Sequence, residues 1–405
     1  MRLTSSTYPH VPARVIRATL SRYQKRRSLL GVIAAMAVVN LVYGITFPLL
    51  ALVLDAQGVS KTLIGASTIA QAVAVIAIAP WTPGLLRRFA PSRVMQVATV
   101  ILAALFILAG LFPNIWIWFP LRFFIGAMTS LLWISSEALI NELAEERRRG
   151  RIIGLYSSFG AAGFAMGPLL LILTGSVGMA PFLATCGMIL LAGIPLFYVT
   201  HQKMDPAGEQ SHGLWRVFLL APTIMVANVV YAAGAESVLT FFPLFGMSIG
   251  LSENATLGLL TFIGLGGMAL VMPISWLADH FDRMGMLALC VGLTAIGLLL
   301  MPWLIAIPVV SGIYAFVFGG VEGMIYALGV ILVGQQFKGA VLAAATTMFT
   351  ACWGAGTILG PLLVGVGMDR FGDDRMALII SLFFVAFLPM PLISYLRSRR
   401  RLTRA

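Results

Sequence analysis

Between Leu29 and Leu396 the chain is a near-continuous series of apolar runs, parted by short breaks that hold most of its charges. A run of about 20 apolar residues crosses the hydrocarbon core of a bilayer as one helix, whose backbone satisfies its own hydrogen bonds. Reading from break to break gives twelve spans, near 29–54, 62–82, 94–112, 117–143, 151–174, 179–199, 217–245, 255–277, 284–306, 309–334, 340–367 and 376–396. Hydrophobic residues are 60% of the chain and charged residues 10%, against about 45–50% and 25% in soluble domains. So few charges cannot cover a water-facing surface, and the expected fold class is an all-α membrane protein. Runs this long also exclude an outer-membrane barrel, whose strands need only about 10 alternating residues.

The charges write the topology. Of 27 Lys and Arg residues, 23 fall on one side if the N-terminus is placed in the cytoplasm. They lie in the N-tail, in the breaks holding Arg87, Arg88 and Arg93, Arg147–Arg149 and Arg151, Lys203 and Arg216, at Arg283 and Lys338, and in the C-tail. The other side receives Lys61, Arg370 and Arg375, and Arg122 lies inside a span. That bias sets both termini in the cytoplasm. The net charge of +12 therefore belongs to tails and loops, and no soluble domain carries it for nucleic acid. The expected organisation is a basic N-terminal tail (1–28), a first six-helix bundle (29–199), a cytoplasmic linker (200–216), a second bundle (217–396) and a basic C-terminal tail (397–405). The stretch 15–30 reads either as a topology signal or as an amphipathic segment on an anionic membrane surface. The run from Leu29 is too long for a signal-peptide core, so it is expected to be a retained helix.

Cys186, Cys290 and Cys352 each sit in a different apolar run, with no metal-ligand or disulfide spacing. There is no P-loop and no Gly-x-Ser-x-Gly, and the four histidines (His10, His201, His212, His280) all lie in tails or loops. The chain is read as no enzyme, with no cofactor and no metal.

The two halves echo each other. Phe47-Pro48-Leu49 recurs as Phe242-Pro243-Leu244, Gly126 as Gly319, and Gly167-Pro168-Leu169-Leu170 as Gly360-Pro361-Leu362-Leu363, all at nearly one offset. A parallel six-plus-six repeat is the plan of transporters that rock two bundles about a central site.

At this point the chain resembles the major facilitator superfamily over nearly its whole length. Leu121-Arg122-Phe123-Phe124-Ile125-Gly126 resembles the family's fourth-helix arginine motif. Gly163 with Gly167-Pro168 resembles the fifth-helix motif associated with exporters, although no glycine pair follows, and Gly356 with Gly360-Pro361 repeats it in the eleventh span. The signature between the second and third helices has lost its aspartate (residues 84–93), while Asp279, Asp282 and Arg283 keep a better copy in the second half. The resemblance implies twelve helices in two pseudo-symmetric bundles and an exporter-like transporter of a bacterial cytoplasmic (inner) membrane, expected as a monomer. Small residues at x-x-x spacing let helix backbones approach closely, and an adjoining proline kinks the helix. Gly163, Gly167, Pro168, Gly356, Gly360 and Pro361 are therefore expected to form seams that pivot. Asp279, Asp282 and Arg283 are expected to form a charge latch, or else an ordinary capped turn.

Four ionisable residues fall well within spans: Arg122, Glu137, Glu236 and Glu322. Such residues are costly in a bilayer and usually face a cavity or a partner. They lie in spans 4, 7 and 10, and in the family resembled here spans 1, 4, 7 and 10 line the cavity. Helical spacing puts Arg122, Gly126, Ser130, Trp133 and Glu137 on one face, Phe318, Glu322 and Tyr326 on another, and Asn40, Tyr43 and Phe47 on a third. These stripes are candidates for a mostly aromatic substrate cavity, or for plain packing. Glu322, near the middle of its span, is the first candidate for proton coupling, with Glu236 and Arg122 beside it. Arg122 would pair with Glu236 when the outer gate closes, or bind an anionic substrate. Glu137 is expected to gate by pairing with Arg87, Arg88, Arg93 or Arg151. The leading expectation is a proton-coupled exporter of a small amphipathic compound (drug, metabolite or siderophore-like). A proton-coupled importer of an organic acid or sugar, and a non-transporting receptor, are the alternatives.

Overall fold

The computed structural model describes residues 22–78, 81–143, 149–199, 214–278 and 280–402, and every regular element among them is helical. In chain order these are α1 (Arg22–Ala56), α2 (Lys61–Ile78), α3 (Thr82–Arg88), α4 (Pro91–Leu111), α5 (Ile115–Leu143), α6 (Arg149–Thr174) and α7 (Ala180–Gly193). The second half holds α8 (Leu214–Leu220), α9 (Pro222–Ser248), α10 (Glu253–Ala278), α11 (Arg283–Leu304), α12 (Val310–Gln336), α13 (Gly339–Phe371), α14 (Met376–Phe387) and α15 (Pro389–Leu402). Eleven helical stretches among the described residues are long and apolar enough to cross a bilayer, and α6, apolar over Ser158–Thr174, makes the twelfth. α5, α9 and α12 are the fourth, seventh and tenth spans, and α13 is the eleventh.

Prolines and caps explain where the helices depart from the sequence reading. α1 starts at Arg22 rather than Leu29. The segment 84–93 is not all loop: α3 forms there with a proline in its first turn, and Pro91 opens α4, as a residue without an N–H can at a helix start. The sixth span stops being α-helical at Gly193 and continues as a 3₁₀ turn over Ile194–Tyr198, where Pro195 removes a donor. The twelfth span is interrupted at Leu388, just before Pro389. Residues 1–21, 200–213 and 403–405, and with them most of both tails and the linker, lie outside the described residues, as do Arg147, Arg148 and Asp279.

Within the first six spans α1 packs on α6 and α5, α2 on α5, and α4 on α5 and α7. Within the last six α10 packs on α12, α9 on α13, and α11 on α12 and α14. Three pairs join the halves: α2 with α13, α6 with α10, and α1 with α9.

The repeat landmarks fall at equivalent crossings. A Cβ on Gly163 or Gly167 would overlap the α1 backbone at Ala37 or Gly44, and one on Gly356 or Gly360 would overlap the α9 backbone at Val229 or Ala233. Gly126 stands against the backbone of Gln71 on α2, and Gly319 against that of Ile263 on α10. Phe47 and Phe242 are both wholly buried, on α1 and α9, where the halves meet. The glycine seams thus lie inside each half rather than between the halves. At Gly163, Gly167, Gly356 and Gly360 helix backbones approach closely within each bundle. Pro361 differs, because its carbonyl faces Gly65 across the junction of the halves.

Candidate functional site

One end of the molecule is sealed where the halves meet. Gly65 on α2 lies against the Pro361 carbonyl of α13, and Gly365 on α13 lies against the Lys61 carbonyl of α2. Nearby, Asp369 of α13 accepts hydrogen bonds from the Lys61 N–H at 2.9 Å and the Thr62 N–H at 2.7 Å. Those are donors of the first turn of α2, which has no partner for them within its own helix. Ser60 accepts from the Leu63 N–H at 3.3 Å in the usual capping manner. The Lys61 ammonium pairs with Asp55 and, at 3.3 Å, with Asp373. The α2 N-terminus is therefore capped by an aspartate of the other half, and its positive dipole end favours that carboxylate. Asp369→Ala should weaken this closure by about 0.5–2 kcal/mol, the usual range for losing a cap. Pulsed-EPR distances between spin labels at Gln57→Cys and Phe371→Cys should then show the population separated at this end rising by about two- to thirty-fold.

Exposure rises along the predicted stripes away from this seal, toward the end that carries the basic loops. On α5, Arg122 has no exposed surface and Ser130 is buried, while Trp133 is 36% exposed and Glu137 is exposed. On α12, exposure climbs from 4% at Phe318 through buried Glu322 to 38% at Tyr326. On α1, Phe47 is wholly buried, while Tyr43 and Asn40 are half-buried. Along these stripes the junction of the halves is closed beside the seal and more exposed toward the basic end.

Toward the sealed end the buried polar atoms are under-satisfied. All three guanidinium nitrogens of Arg122 lack a hydrogen-bond partner, as do one carboxylate oxygen each of Glu236 and Glu322, both polar atoms of the Gln71 amide, and the Ser130 and Thr46 hydroxyls. Buried polar groups in native structures are normally paired, so this cluster stands out from the rest of the buried polar residues. The Tyr43 phenol lies beside Thr129 and Gln71 and within electrostatic range of Glu236. Tyr231 lies within range of both Glu236 and Glu322. The expected Arg122–Glu236 pair does not form although this end is closed, since none of the Arg122 nitrogens has a partner.

At the open end the lining is aromatic and acidic. Tyr231 of α9, Tyr326 of α12 and Trp353 of α13 meet with ring centroids 5.4–5.8 Å apart, and Phe349 lies 5.7 Å from Tyr326. Asn228 of α9 donates to the Phe349 carbonyl at 2.6 Å, tying α9 to α13 beside these rings. Across from them Glu137 makes no ion pair among the described residues, lies next to the Trp133 indole, and is within electrostatic range of the Tyr326 phenol. The Arg151 side chain, one of its expected partners, lies outside the described ones.

Other expected site residues resolve differently. Asn40 donates to the Met36 carbonyl at 3.0 Å, within its own helix. Phe47 and Phe318 are packing residues here: Phe47 stacks on Tyr43 at 5.9 Å and Phe318 on Tyr314 at 5.8 Å. Asp282 is a helix cap, accepting from the Gly285 N–H at 2.7 Å to start α11. Asp279, the other acid of the expected latch, lies outside the described residues. Sequence reasoning missed Tyr231, Phe349 and Trp353. Phe349 and Trp353 stand four apart on α13, but only the fold brings them to Tyr326.

Twelve apolar helices in two halves with repeated seams, joined tightly at one end, define a polytopic membrane protein of the transporter type. The family model described as Major Facilitator Superfamily matches residues 32–361 and 259–404, and the chain belongs to that family. It is similar to the uncharacterized MFS-type transporter YfkF of Bacillus subtilis (strain 168), with 24% identity over 84% of this chain and 88% of that one. It is also similar to the uncharacterized MFS-type transporter YcaD of Escherichia coli O17:K52:H18, with 23% identity over 73% of this chain and 77% of the other. Among solved structures, a point mutant of the nucleoside transporter NupG superposes with a TM-score of 0.76 at 12% identity, over 91% of this chain and 99% of that one. A bacterial homologue of the human lysosomal transporter Spinster, inward-facing and unoccupied, gives 0.72 at 14% identity, over 92% and 96% of the two chains. At these identities the structures show the fold alone.

Proposed function

We propose that the chain is a monomeric, proton-coupled secondary transporter of a bacterial cytoplasmic membrane, exporting a small amphipathic compound by alternating access. The basic end of the cavity is read as cytoplasmic, which makes this conformation the one that loads substrate from inside. The observation that carries the proposal is the pair of buried carboxyl groups, Glu236 and Glu322, each with an unpartnered oxygen at the sealed end of the cavity. A carboxyl group that is dry in one conformation and wetted in the other can take up a proton in one and release it in the other. Glu322 faces α9 closely enough that its Oε1 lies 3.6 Å from where a Cβ on Gly234 would be. A shift of α9 against α12 would therefore change its surroundings directly. Arg122 is wholly buried toward the sealed end in this conformation, which favours the exporter reading over an organic-acid importer.

In proteoliposomes under an imposed pH gradient, Glu322→Gln should lose at least tenfold in gradient-driven flux while keeping substrate exchange at equal pH. Gradient-driven flux equal to that of the parent protein would remove Glu322 from the coupling machinery.

A further inference from the structure

We propose that Arg122, with the Gln71 amide and the Thr46 hydroxyl, forms a buried site for a small monovalent inorganic anion of the chloride class. The anion is a resident ion and not the compound transported, so the inference depends neither on proton coupling nor on the direction of transport. Its first support is an imbalance of charge. The Arg122 guanidinium has no exposed surface, and none of its three nitrogens has a hydrogen-bond partner. No carboxylate among the described residues lies within electrostatic range of it: Glu236 is in range of the Tyr43 phenol but not of Arg122. The acids whose side chains lie outside the described ones are Glu142, Glu145, Glu146, Asp205, Glu209 and Asp279. In sequence all six belong to the basic end of the spans, and the nearest to Arg122, Glu142, stands twenty residues further along α5, about 30 Å of helix. Arginine keeps its charge in proteins, and a buried charge without a counter-charge is strongly destabilising. An anion from solution supplies what the chain does not.

The second support is the set of donors around Arg122. Gly126, one turn along α5, stands so close to α2 that a Cβ there would lie 3.0 Å from the Gln71 Cγ. Gln71 is buried, and both polar atoms of its amide are unpartnered. Beside Gln71 lies Tyr43 of α1, and one turn from Tyr43 is Thr46, wholly buried with its hydroxyl unpartnered. Buried Thr68, Thr99 and Thr129 instead donate to carbonyls of their own helices, as hydroxyls in helix interiors commonly do. Three helices of the first half, α1, α2 and α5, thus bring a guanidinium, an amide and a hydroxyl to one crossing. All three groups donate hydrogen bonds, and donors left without acceptors suit an anion. One fixed positive charge matches one negative charge. Because every donor is buried, the fitting ligand is a small ion held without its water shell, and not an organic acid.

The test is equilibrium binding of radiolabelled chloride to the purified full chain in detergent, exchanged into gluconate at one fixed pH and with no gradient. Thermal melting is followed alongside in chloride, bromide, sulfate and gluconate. Saturable binding of one chloride per chain is expected. An ion that binds only the folded state raises its stability with concentration, so the melting temperature should rise by several degrees from gluconate to chloride. Bromide should replace chloride, and sulfate should not. Arg122→Gln should lose saturable binding and melt at the same temperature in chloride and gluconate, because without the charge there is nothing for the ion to balance. Gln71→Leu and Thr46→Val, which remove a donor but no charge, should each weaken chloride about fivefold, and they decide the matter if Arg122→Gln cannot be purified folded. No saturable chloride binding by the parent protein, melting indifferent to the anion, or unchanged chloride affinity in folded Arg122→Gln or in both donor variants would each overturn the proposal. Because binding is read without a gradient, it stands apart from proton coupling. If Glu322→Gln keeps full driven flux while chloride binding still depends on Arg122, the coupling assignment falls and this site stands.

Discussion

Gly65→Ala should lower transport at least tenfold without unfolding the protein. A Cβ at this position would run into the Pro361 carbonyl oxygen of α13, a backbone atom that cannot swing aside as a side-chain tip would. α2 and α13 belong to different halves, so relief comes from parting the halves at the sealed end. The Lys61 and Thr62 hydrogen bonds to Asp369 lie one turn away and are lost with that parting. Overpacking costs about 1–3 kcal/mol and the lost cap a further 0.5–2 kcal/mol or so. A conformational balance is reversed from 99:1 to 1:99 by about 5.5 kcal/mol, so these terms, about 1.5–5 kcal/mol together, move it by a quarter of that span or more. Helix propensity acts in the opposite direction, since alanine is favoured over glycine by about 0.8–1 kcal/mol, and α2 itself is not weakened. The check is flux together with the EPR distance between labels at Gln57 and Phe371, which should lengthen. Gly258→Ala on α10, where a Cβ meets nothing within 4 Å, is the matched control and should leave both unchanged. Parental flux and distances in Gly65→Ala would show that the two helices do not need this contact to close.

Much of the architecture is legible in the sequence because bilayer physics leaves so few options. A 20-residue apolar run has one way to satisfy its backbone in lipid, and a repeated Gly or Gly-Pro landmark has few reasons to exist other than a close crossing. Thus Gly126 and Gly319, or Gly167 and Gly360, identify equivalent crossings from the repeat alone. What each glycine touches is less legible. Spacing alone does not say whether Gly167 faces a helix of its own half or of the other, and the structure answers α1, its own half. The stripe from Arg122 to Glu137 is visible from periodicity, but its division into a dry end and a wet end depends on which end of the bundle pair is shut. The Lys61–Asp369 latch is out of reach of sequence reasoning: its partners stand 308 residues apart and neither belongs to a motif. The ring cluster of Tyr231, Tyr326 and Trp353 is hidden for the same reason, as three spans contribute one ring each.

Gly167→Ala, one of the repeat landmarks, should fail in a different way from Gly65→Ala. Its Cβ would collide with the Gly44 and Ile45 backbone of α1, and α1 and α6 are the closest-packed pair of the first half. Opening that seam does not exchange one functional conformation for another. It loosens the bundle itself, because Gly44 in turn faces the Phe164 backbone and Gly163 faces Ala37 along the same line. In a membrane there is no hydrophobic gain to offset lost helix contact, since lipid tails solvate a parted helix as well as another helix does. The cost of overpacking, about 1–3 kcal/mol, therefore falls on stability, and the apparent melting temperature of the purified protein should drop by several degrees. Gly360→Ala, in the matching α9–α13 seam, should do the same, whereas Gly187→Ala on α7, with nothing within 4 Å, should hold or slightly raise it. Gly65→Ala, in contrast, should keep its melting temperature and lose its transport. If Gly167→Ala instead melts like the parent but shifts the Gln57–Phe371 distance, the α1–α6 seam would be a moving part, and the division between welded halves and a sliding junction would be wrong.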